Sequence, residues 1–170
     1  HAFDIGATSG RTVLGRISKN KIDIEELTRF PNKIVRVHDR FHWDFFSLYE
    51  NLKDGLKAAA SRNIKISAIG IDTWGVDFAY IAEDGTILGI PRSYRDPYTE
   101  GIPEEYFNKV LPRKEVYGLT GIQIMNLHSL FQLYAAKKEN SSALKAAKEI
   151  LFMPDALSYL LTGNKVCEYT

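Results

Sequence analysis

The sequence predicts an α/β fold whose mixed sheet begins as an antiparallel three-strand meander and is flanked by helices. Three runs with strand-like alternation follow one another at residues 2–7, 11–18 and 22–30, and tight turns separate them. A helical pattern and a further apolar run come next, and the second half of the chain is mainly helical. With 45% hydrophobic and 12% aromatic residues, the 170-residue chain has enough apolar surface for a core.

The segment after the meander predicts a loop and then a helix. Residues 31–42 are polar, mixed in sign and without a clear period, so we expect a loop there. No helical period accompanies His38 and His42, and we interpret them as loop histidines rather than metal ligands. Asp44 then predicts the N-cap of a helix that runs to about Arg62.

An apolar run at residues 64–71 predicts a central strand that is buried on both faces. Its carboxyl end leads into residues 72–75, at the place where ligands bind in open α/β sheets. Three antiparallel strands, followed by a helix that crosses over to a central strand, form the ribonuclease H-like arrangement of the actin-like ATPases. There the first hairpin and the end of the crossover strand meet at one cleft, so we expect residues 4–11 and 72–75 to face the same ligand.

The rest of the chain predicts a hairpin followed by helices that return to one short strand. Residues 76–82 alternate as a strand, and the Asp84-Gly85 dipeptide predicts a turn back through residues 87–90. The later elements are a loop at 91–97, helices at about 103–111, 113–119, 127–139 and 141–149, a strand at 150–153, and a last helix from Pro154 to a C-cap at Gly163.

Charge and cysteine content exclude several functional classes. Lys and Arg total 22 against 21 acidic residues, so a nucleic acid or an anionic membrane is not indicated as a partner. Cys167 is the only cysteine, which favours a reducing compartment. No apolar run approaches the roughly 18 residues of a membrane span. We expect a cytoplasmic protein that binds small molecules; its oligomeric state is open, with a monomer favoured.

The stretch before the second strand predicts a phosphate-binding turn. Gly6 and Gly10 remove Cβ atoms that would keep a ligand away from the backbone. Consecutive amides in such a turn point inward at anionic oxygens, and Thr8, Ser9 and Arg11 add side-chain donors. An ordinary β-hairpin turn made of the same residues is the open alternative.

Asp4 is the unusual member of this turn, because a carboxylate beside a phosphate repels it. A cation between the two groups removes that repulsion. Asp4 next to a phosphate turn therefore predicts Mg²⁺, bound directly or through water.

A second cluster, residues 72–77, has the composition of a sugar site. It combines two acids, a hydroxyl, an indole and a glycine, which together suit a polyhydroxylated ligand. Arg95 and Asp96 supply a further donor and acceptor. The alternatives are a capping role for Asp72, a core position for Trp74 and a surface ion pair for Arg95 and Asp96.

Several segments resemble the FGGY carbohydrate kinases, and the resemblance runs in matching order through essentially the whole chain. Small departures occur at Thr8, where a serine is common, and at residues 125–128, a stretch often richer in proline or phenylalanine. The segments that carry the resemblance are 3–11, 69–78, 94–96, 120–123 and 151–163.

The resemblance implies ATP-dependent phosphorylation of L-rhamnulose at its 1-hydroxyl group, with ATP and Mg²⁺ as cofactors. It implies that Asp4 lies near the magnesium ion. By position, it implies ATP-phosphate contacts for Ala7, Thr8, Ser9, Gly10 and Arg11, and sugar contacts for Gly75 and, by extension, Asp72, Thr73, Trp74, Arg95 and Asp96.

The resemblance also implies that residues 1–170 are part of an N-terminal kinase domain. The catalytic base would be an aspartate beyond Thr170, and most of the adenine pocket would lie in a second domain of the same fold. We therefore expect the 170-residue piece alone to be inactive. Open alternatives are a kinase of the same family for fuculose, xylulose or glycerol, a non-catalytic nucleotide-binding module of the actin or Hsp70 kind, and a non-catalytic sugar-binding regulator.

Overall fold

The computed structural model describes residues 1–168 and confirms an α/β fold with a mixed sheet. Strands β1 (Ala2–Ile5), β2 (Ser9–Ser18) and β3 (Lys21–Pro31) form the predicted antiparallel meander. The last two residues of the predicted domain, 169–170, lie outside the described residues.

The predicted loop at residues 31–42 is wrong, because this segment contains a β-hairpin. Strand β4 (Ile34–Val37) pairs antiparallel with β5 (Arg40–Trp43), and His38 has a left-handed φ of 52° in the turn between them. Each strand has only four residues; Arg36 interrupts the apolar residues of β4, and Arg40 and His42 alternate with the aromatic residues of β5. Such short strands give little period in the sequence. The ring Nδ1 of His42 hydrogen-bonds with the carbonyl oxygen of Ile90 at 3.0 Å.

Helix α1 (Phe45–Ser61) follows Asp44, as predicted, although the Asp44 side chain makes no capping hydrogen bond. The helix packs tightly on the meander. A Cβ atom added at Gly55 would lie 2.3 Å from Cγ2 of Thr12 on β2. The buried face of the helix consists of Phe45, Leu48, Leu52, Gly55 and Ala59.

Strand β6 (Gly70–Asp72) completes the four-stranded sheet, whose order is β3-β2-β1-β6. It pairs parallel with β1, which confirms the predicted crossover. The expectation of a long strand buried on both faces is wrong. Residues 64–69 have no regular secondary structure, and Ile69 is 48% exposed. Among the described residues β6 has a neighbour on one side only, so its apolar side chains are not enclosed.

Strand β7 (Phe78–Ile81) pairs antiparallel with β8 (Glu149–Phe152) rather than with the segment that follows it. The predicted turn forms at Gly85, whose φ is 88°. The return strand at 87–90 does not form: a single bridge joins Ile81 to Ile87. A φ of 79° at Gly89 then turns the chain away from β7.

The predicted helices of the second half are present, and Gly163 ends the last one in a left-handed conformation with φ 74°. The helix expected at 141–149 stops at Ala146. A 3₁₀ turn (Pro97–Thr99) precedes α2 (Ile102–Lys109), α3 (Arg113–Thr120), α4 (Ser129–Lys138), α5 (Ser142–Ala146) and α6 (Met153–Thr162).

Two clusters of buried side chains hold these layers together. The larger lies between the four-stranded sheet, α1 and α6, and the smaller lies between α2 and α4. Within residues 1–168, no helix is both long enough and apolar enough to cross a membrane. The large buried side chains include Phe3, Ile5, Trp43, Phe45, Leu52, Leu157 and, in the smaller cluster, Phe131.

Candidate functional site

Two aspartates meet at one edge of the four-stranded sheet. Strands β1 and β6 run parallel, and Asp4 and Asp72 are partners in their register. Neighbouring strands lie about 4.8 Å apart, so the two residues are side by side. Both residues retain solvent access. The structure therefore brings the two predicted segments to one place, where carboxylates concentrate negative charge.

The turn between β1 and β2 is held by a residue that the sequence analysis missed. Asn32 is 7% exposed; its backbone N–H donates to the Thr8 carbonyl at 3.0 Å and its side-chain Nδ2 donates to the Gly6 carbonyl at 2.9 Å. Gly6 N–H closes the turn on the Ser9 carbonyl at 2.8 Å. Because Asn32 directly follows β3, only the pairing of β2 with β3 brings it to this turn.

The turn also presents backbone donors. Within residues 1–168, the N–H groups of Ala7 and Thr8 have no intramolecular acceptor. The sequence suggested that Gly10 lets a ligand approach the backbone, but the structure shows a different role. A Cβ atom there would lie 2.3 Å from the ring of Phe30, so this glycine allows the ring to pack on β2. Its predicted phosphate contact, like those of its neighbours, stays a prediction.

Arg11 forms an ion pair with Asp4. Its Nη2 and Nε atoms lie 2.7 Å and 2.8 Å from Oδ2 of Asp4, and both side chains are 46% exposed. An exposed pair contributes little to stability, typically 0–1 kcal/mol. The pair therefore offsets the charge of Asp4 while both groups remain accessible to a ligand.

A cleft of about 500 Å³ opens beside the end of β6. Residues 72–76 form one wall, and a Cβ atom added at Gly75 would meet nothing within 4 Å, so this glycine leaves the cleft open. The opposite wall comes from the second half of the chain, which the sequence analysis did not assign to a site. Its members include Val116, Thr120, Ile124, His128, Phe152 and Asp155.

His128 contributes a polar group to the mainly apolar far wall. It is the N-cap residue of α4. Burial lowers the pKa of the His128 imidazole below its ordinary value, so the ring is neutral at neutral pH. A neutral imidazole offers one donor and one acceptor to a ligand.

The wall formed by residues 72–76 is shaped by aromatic contact and by backbone strain. The rings of Trp74 and Trp43 lie 4.0 Å apart between centroids, with Trp43 fully buried. Val76 has a φ of 72°, which is unusual for a β-branched residue and is often found at functional sites. Asp77, next in sequence, is 1% exposed and accepts hydrogen bonds from both indole N–H groups, at 2.6 Å from Trp43 and 3.0 Å from Trp74.

Arg95 and Asp96 do not line the cleft. The Asp96 side chain is fully buried, and its carboxylate accepts from the backbone N–H groups of Phe41 at 2.6 Å and Tyr98 at 2.9 Å. It caps the 3₁₀ turn and fastens that turn to β5. The Arg95 guanidinium lies over the ring of Tyr94, 5.7 Å from its centroid. The predicted sugar contacts of both residues stay predictions that this arrangement does not favour.

The sheet order, the parallel pairing of β1 with β6 and the glycine-containing turn together form an α/β domain with the actin-like ATPase fold. The chain belongs to the FGGY family of carbohydrate kinases: residues 1–170 match the N-terminal domain of that family.

Curated relatives are similar to this chain over nearly its whole length. The rhamnulokinase of Bacteroides thetaiotaomicron is 53% identical over 169 residues, which cover 99% of this chain and 35% of the relative. The rhamnulokinase of Oceanobacillus iheyensis is 40% identical over 169 residues, which cover 99% of this chain and 36% of that relative. The chain thus spans 35–36% of the length of these curated relatives.

A solved structure agrees on the fold. The gluconate kinase from Lactobacillus acidophilus matches with a TM-score of 0.80 at 16% identity, over 96% of this chain and 33% of that one. At this identity the likeness concerns the fold alone.

Proposed function

We propose that this chain is the N-terminal part of an ATP-dependent sugar kinase. The reaction would transfer the γ-phosphoryl group of ATP to the 1-hydroxyl group of L-rhamnulose, giving L-rhamnulose 1-phosphate and ADP, in L-rhamnose degradation. The observation that carries the proposal is the 53% identity to a rhamnulokinase over 99% of the chain. The juxtaposition of Asp4 and Asp72 supports it, because it brings the phosphate turn and the sugar cluster to one edge.

In this proposal the two ligands take different parts of the edge. The phosphates of ATP lie at the turn, where the N–H groups of Ala7 and Thr8 and the guanidinium of Arg11 offer donors to anionic oxygens. The sugar lies in the cleft, against the indole of Trp74 and the open space at Gly75. Positioning and electrostatic stabilisation then supply most of the catalysis, as in other phosphoryl transfers.

The acidic edge fits a magnesium ion that is bound mainly by phosphates and water. Within the described residues there is no group of three or more His, Cys, Asp or Glu side chains placed to hold a metal. Mg²⁺ needs fewer protein ligands: one or two carboxylates plus substrate phosphates suffice. We propose Asp4 as such a ligand, directly or through water, with Asp72 beside it. When bound, the ion would neutralise charge on the transferring phosphoryl group.

The remaining parts of the machinery are proposed to lie outside this chain. Residues 1–170 would be part of the N-terminal kinase domain, and the catalytic base and most of the adenine pocket would come from the further length that the relatives possess. The 170-residue chain alone would then be inactive. We also propose a cytoplasmic location, where ATP is present, and small-molecule partners rather than nucleic acid or membrane.

Steady-state ADP release by the full-length protein tests the substrate. The panel comprises L-rhamnulose, fuculose, xylulose and glycerol, with the 170-residue chain assayed in parallel. The proposal expects the highest kcat/KM for L-rhamnulose and no turnover by the short chain. If another acceptor gives the highest kcat/KM, that acceptor would replace L-rhamnulose as the proposed substrate. Turnover of ATP by the 170-residue chain would contradict the proposal that the catalytic base lies outside it.

A further inference from the structure

The carboxylate of Asp77 is buried, yet within residues 1–168 it has no cationic partner. It is instead surrounded by neutral N–H donors from four parts of the chain. Burial raises the pKa of this carboxyl group, and the donated hydrogen bonds oppose that shift. The donors are Trp43 Nε1 at 2.6 Å, Trp74 Nε1 at 3.0 Å, the backbone N–H of Tyr94 at 3.1 Å and Gln132 Nε2 at 2.8 Å.

The donors divide unequally between the two oxygens. Oδ2 accepts from both indoles and from Tyr94, whereas Oδ1 accepts from Gln132. An ionised carboxylate accepts at both oxygens and has no proton to place. An Asn side chain has the same shape but only one accepting oxygen, so its amide group would oppose at least one of these donors.

We call the hydrogen-bonded group of Asp77, Trp43, Trp74 and Gln132 the Asp77 brace. Gln132 connects this brace to Val76, the residue with strained backbone next to Asp77. Gln132 is 2% exposed, and the two hydrogens of its Nε2 face Oδ1 of Asp77 and the carbonyl oxygen of Leu127, each at 2.8 Å. The carbonyl oxygen of Val76 lies 3.3 Å from the same nitrogen and can only share one of these hydrogens. Ser129 Oγ donates to the same Val76 carbonyl at 2.7 Å. These contacts tie helix α4 to the backbone that carries the φ of 72°.

Apart from Trp74, the Asp77 brace lies behind the wall of the cleft and contacts the residues that form this wall. Trp74 and Val76 line the cleft, whereas Asp77, Gln132 and Trp43 do not. The side-chain oxygen of Gln132 is also satisfied, because it accepts from the hydroxyl of Tyr98 at 2.6 Å. Exchanging the oxygen and nitrogen positions of the Gln132 amide would lose the hydrogen bond from Tyr98 and the hydrogen bonds to Asp77 and Leu127.

We propose that Asp77 and Gln132 are positioning residues for the acceptor sugar. Through their hydrogen bonds they fix the indole of Trp74 and the backbone of Gly75 and Val76 in the orientation that the sugar meets. The Asp77 N–H adds to this by donating to the Gly75 carbonyl at 3.0 Å. The inference rests on the proposed kinase function. It assigns these residues to sugar affinity and not to the phosphate turn.

The experiment compares Asp77→Asn with wild type in the full-length protein, with KM for L-rhamnulose and for ATP measured separately. We expect the KM for the sugar to rise about tenfold or more, as loss of a hydrogen bond to a charged group implies. The KM for ATP should not change. Asp84→Asn is the matched control, since Asp84 is exposed in a turn and its carboxylate caps the N–H of Thr86 at 2.9 Å.

Two milder variants keep the test decisive where Asp77→Asn does not fold. Trp43→Phe and Trp74→Phe each remove one indole donor to Asp77 and keep an aromatic ring. Trp43 does not line the cleft, so a higher sugar KM in Trp43→Phe would support action through Asp77. Wild-type sugar KM in the folded variants would overturn this inference alone. Wild-type protein that phosphorylates none of the sugars would overturn the proposed function, and this inference with it.

Discussion

Asp4 and Asp72 lie side by side as register partners of two parallel strands. Neither residue comes from a motif that specifies a site alone: Asp4 lies in β1, one residue before that strand ends, and Asp72 ends a three-residue strand. Their proximity follows from the parallel pairing, which brings both carboxyl ends to one edge. The ion pair of Asp4 with Arg11 limits the repulsion that two such carboxylates would otherwise generate.

Replacing Arg11 tests the phosphate turn. In the full-length protein, Arg11→Ala should lower kcat/KM by about 10²-fold or more, the usual cost of removing a donor that stabilises developing charge. Steady-state phosphorylation kinetics check this. Arg16→Ala is the matched control, because Arg16 lies on the same strand and pairs with Glu25 at 3.3 Å, away from the turn. An unchanged rate in Arg11→Ala would remove this residue from the phosphate site.

The close approach of α1 to β2 predicts a stability effect. Gly55→Ala places a methyl group 2.3 Å from Thr12 Cγ2, and Thr12 is held by its hydrogen bond to Thr28 at 2.7 Å. Overpacking of this kind typically costs about 1–3 kcal/mol. It should exceed the gain in helix propensity, about 1 kcal/mol at most. We expect a lower free energy of unfolding in urea.

Gly118→Ala is the matched control for that substitution. Gly118 is also helical, but a Cβ atom there would meet nothing within 4 Å. This variant should be as stable as wild type or more stable, by up to about 1 kcal/mol. A Gly55→Ala variant that matches it in stability would show that α1 and β2 do not approach as closely as described.

The burial of His128 predicts that the stability of the folded protein depends on pH. The pKa of His128 is lowered by burial, so the folded state prefers the neutral ring. Its stabilising contribution is fully present above the unfolded pKa of about 6.5. It is lost as the pH falls from there through the lowered folded pKa, because the unfolded state takes up the proton first.

Thermal unfolding midpoints between about pH 5 and pH 8 measure this effect. His128→Asn should flatten the decline on the acid side. His38→Asn, at an exposed turn with φ 52° that Asn tolerates, should decline as wild type does. Identical slopes in wild type and His128→Asn would contradict the assignment to His128.

The meander and the meeting of the two site segments were predictable because they depend on local alternation and on strand order. The β4–β5 hairpin was not, since two four-residue strands that each contain polar side chains resemble a polar loop. The exposure of β6 also escaped prediction, because an apolar sequence does not reveal how many neighbours a strand has. The predicted sugar cluster includes Asp72 and Trp74, and both line the cleft.

The far wall of the cleft and the brace at Asp77 were missed for a different reason. Asp77 gathers donors from Trp43 and Gln132, which are 34 and 55 positions away in sequence. No spacing pattern encodes such contacts. Asp96 illustrates the converse limit of sequence reasoning. Its loop position suggested a ligand contact, which stays a prediction, but the sequence did not reveal that its carboxylate accepts from the backbone N–H groups of Phe41 and Tyr98.

The magnesium dependence of the proposed phosphorylation of L-rhamnulose by the full-length protein tests the central claim most directly. Wild type and Asp4→Asn are compared across Mg²⁺ concentrations at saturating ATP and sugar. If the edge shared by Asp4 and Asp72 holds the nucleotide's cation, Asp4→Asn should need at least about tenfold more Mg²⁺ for half-maximal rate, as loss of a charged ligand implies. The same Mg²⁺ requirement and the same rate in both proteins would contradict the account.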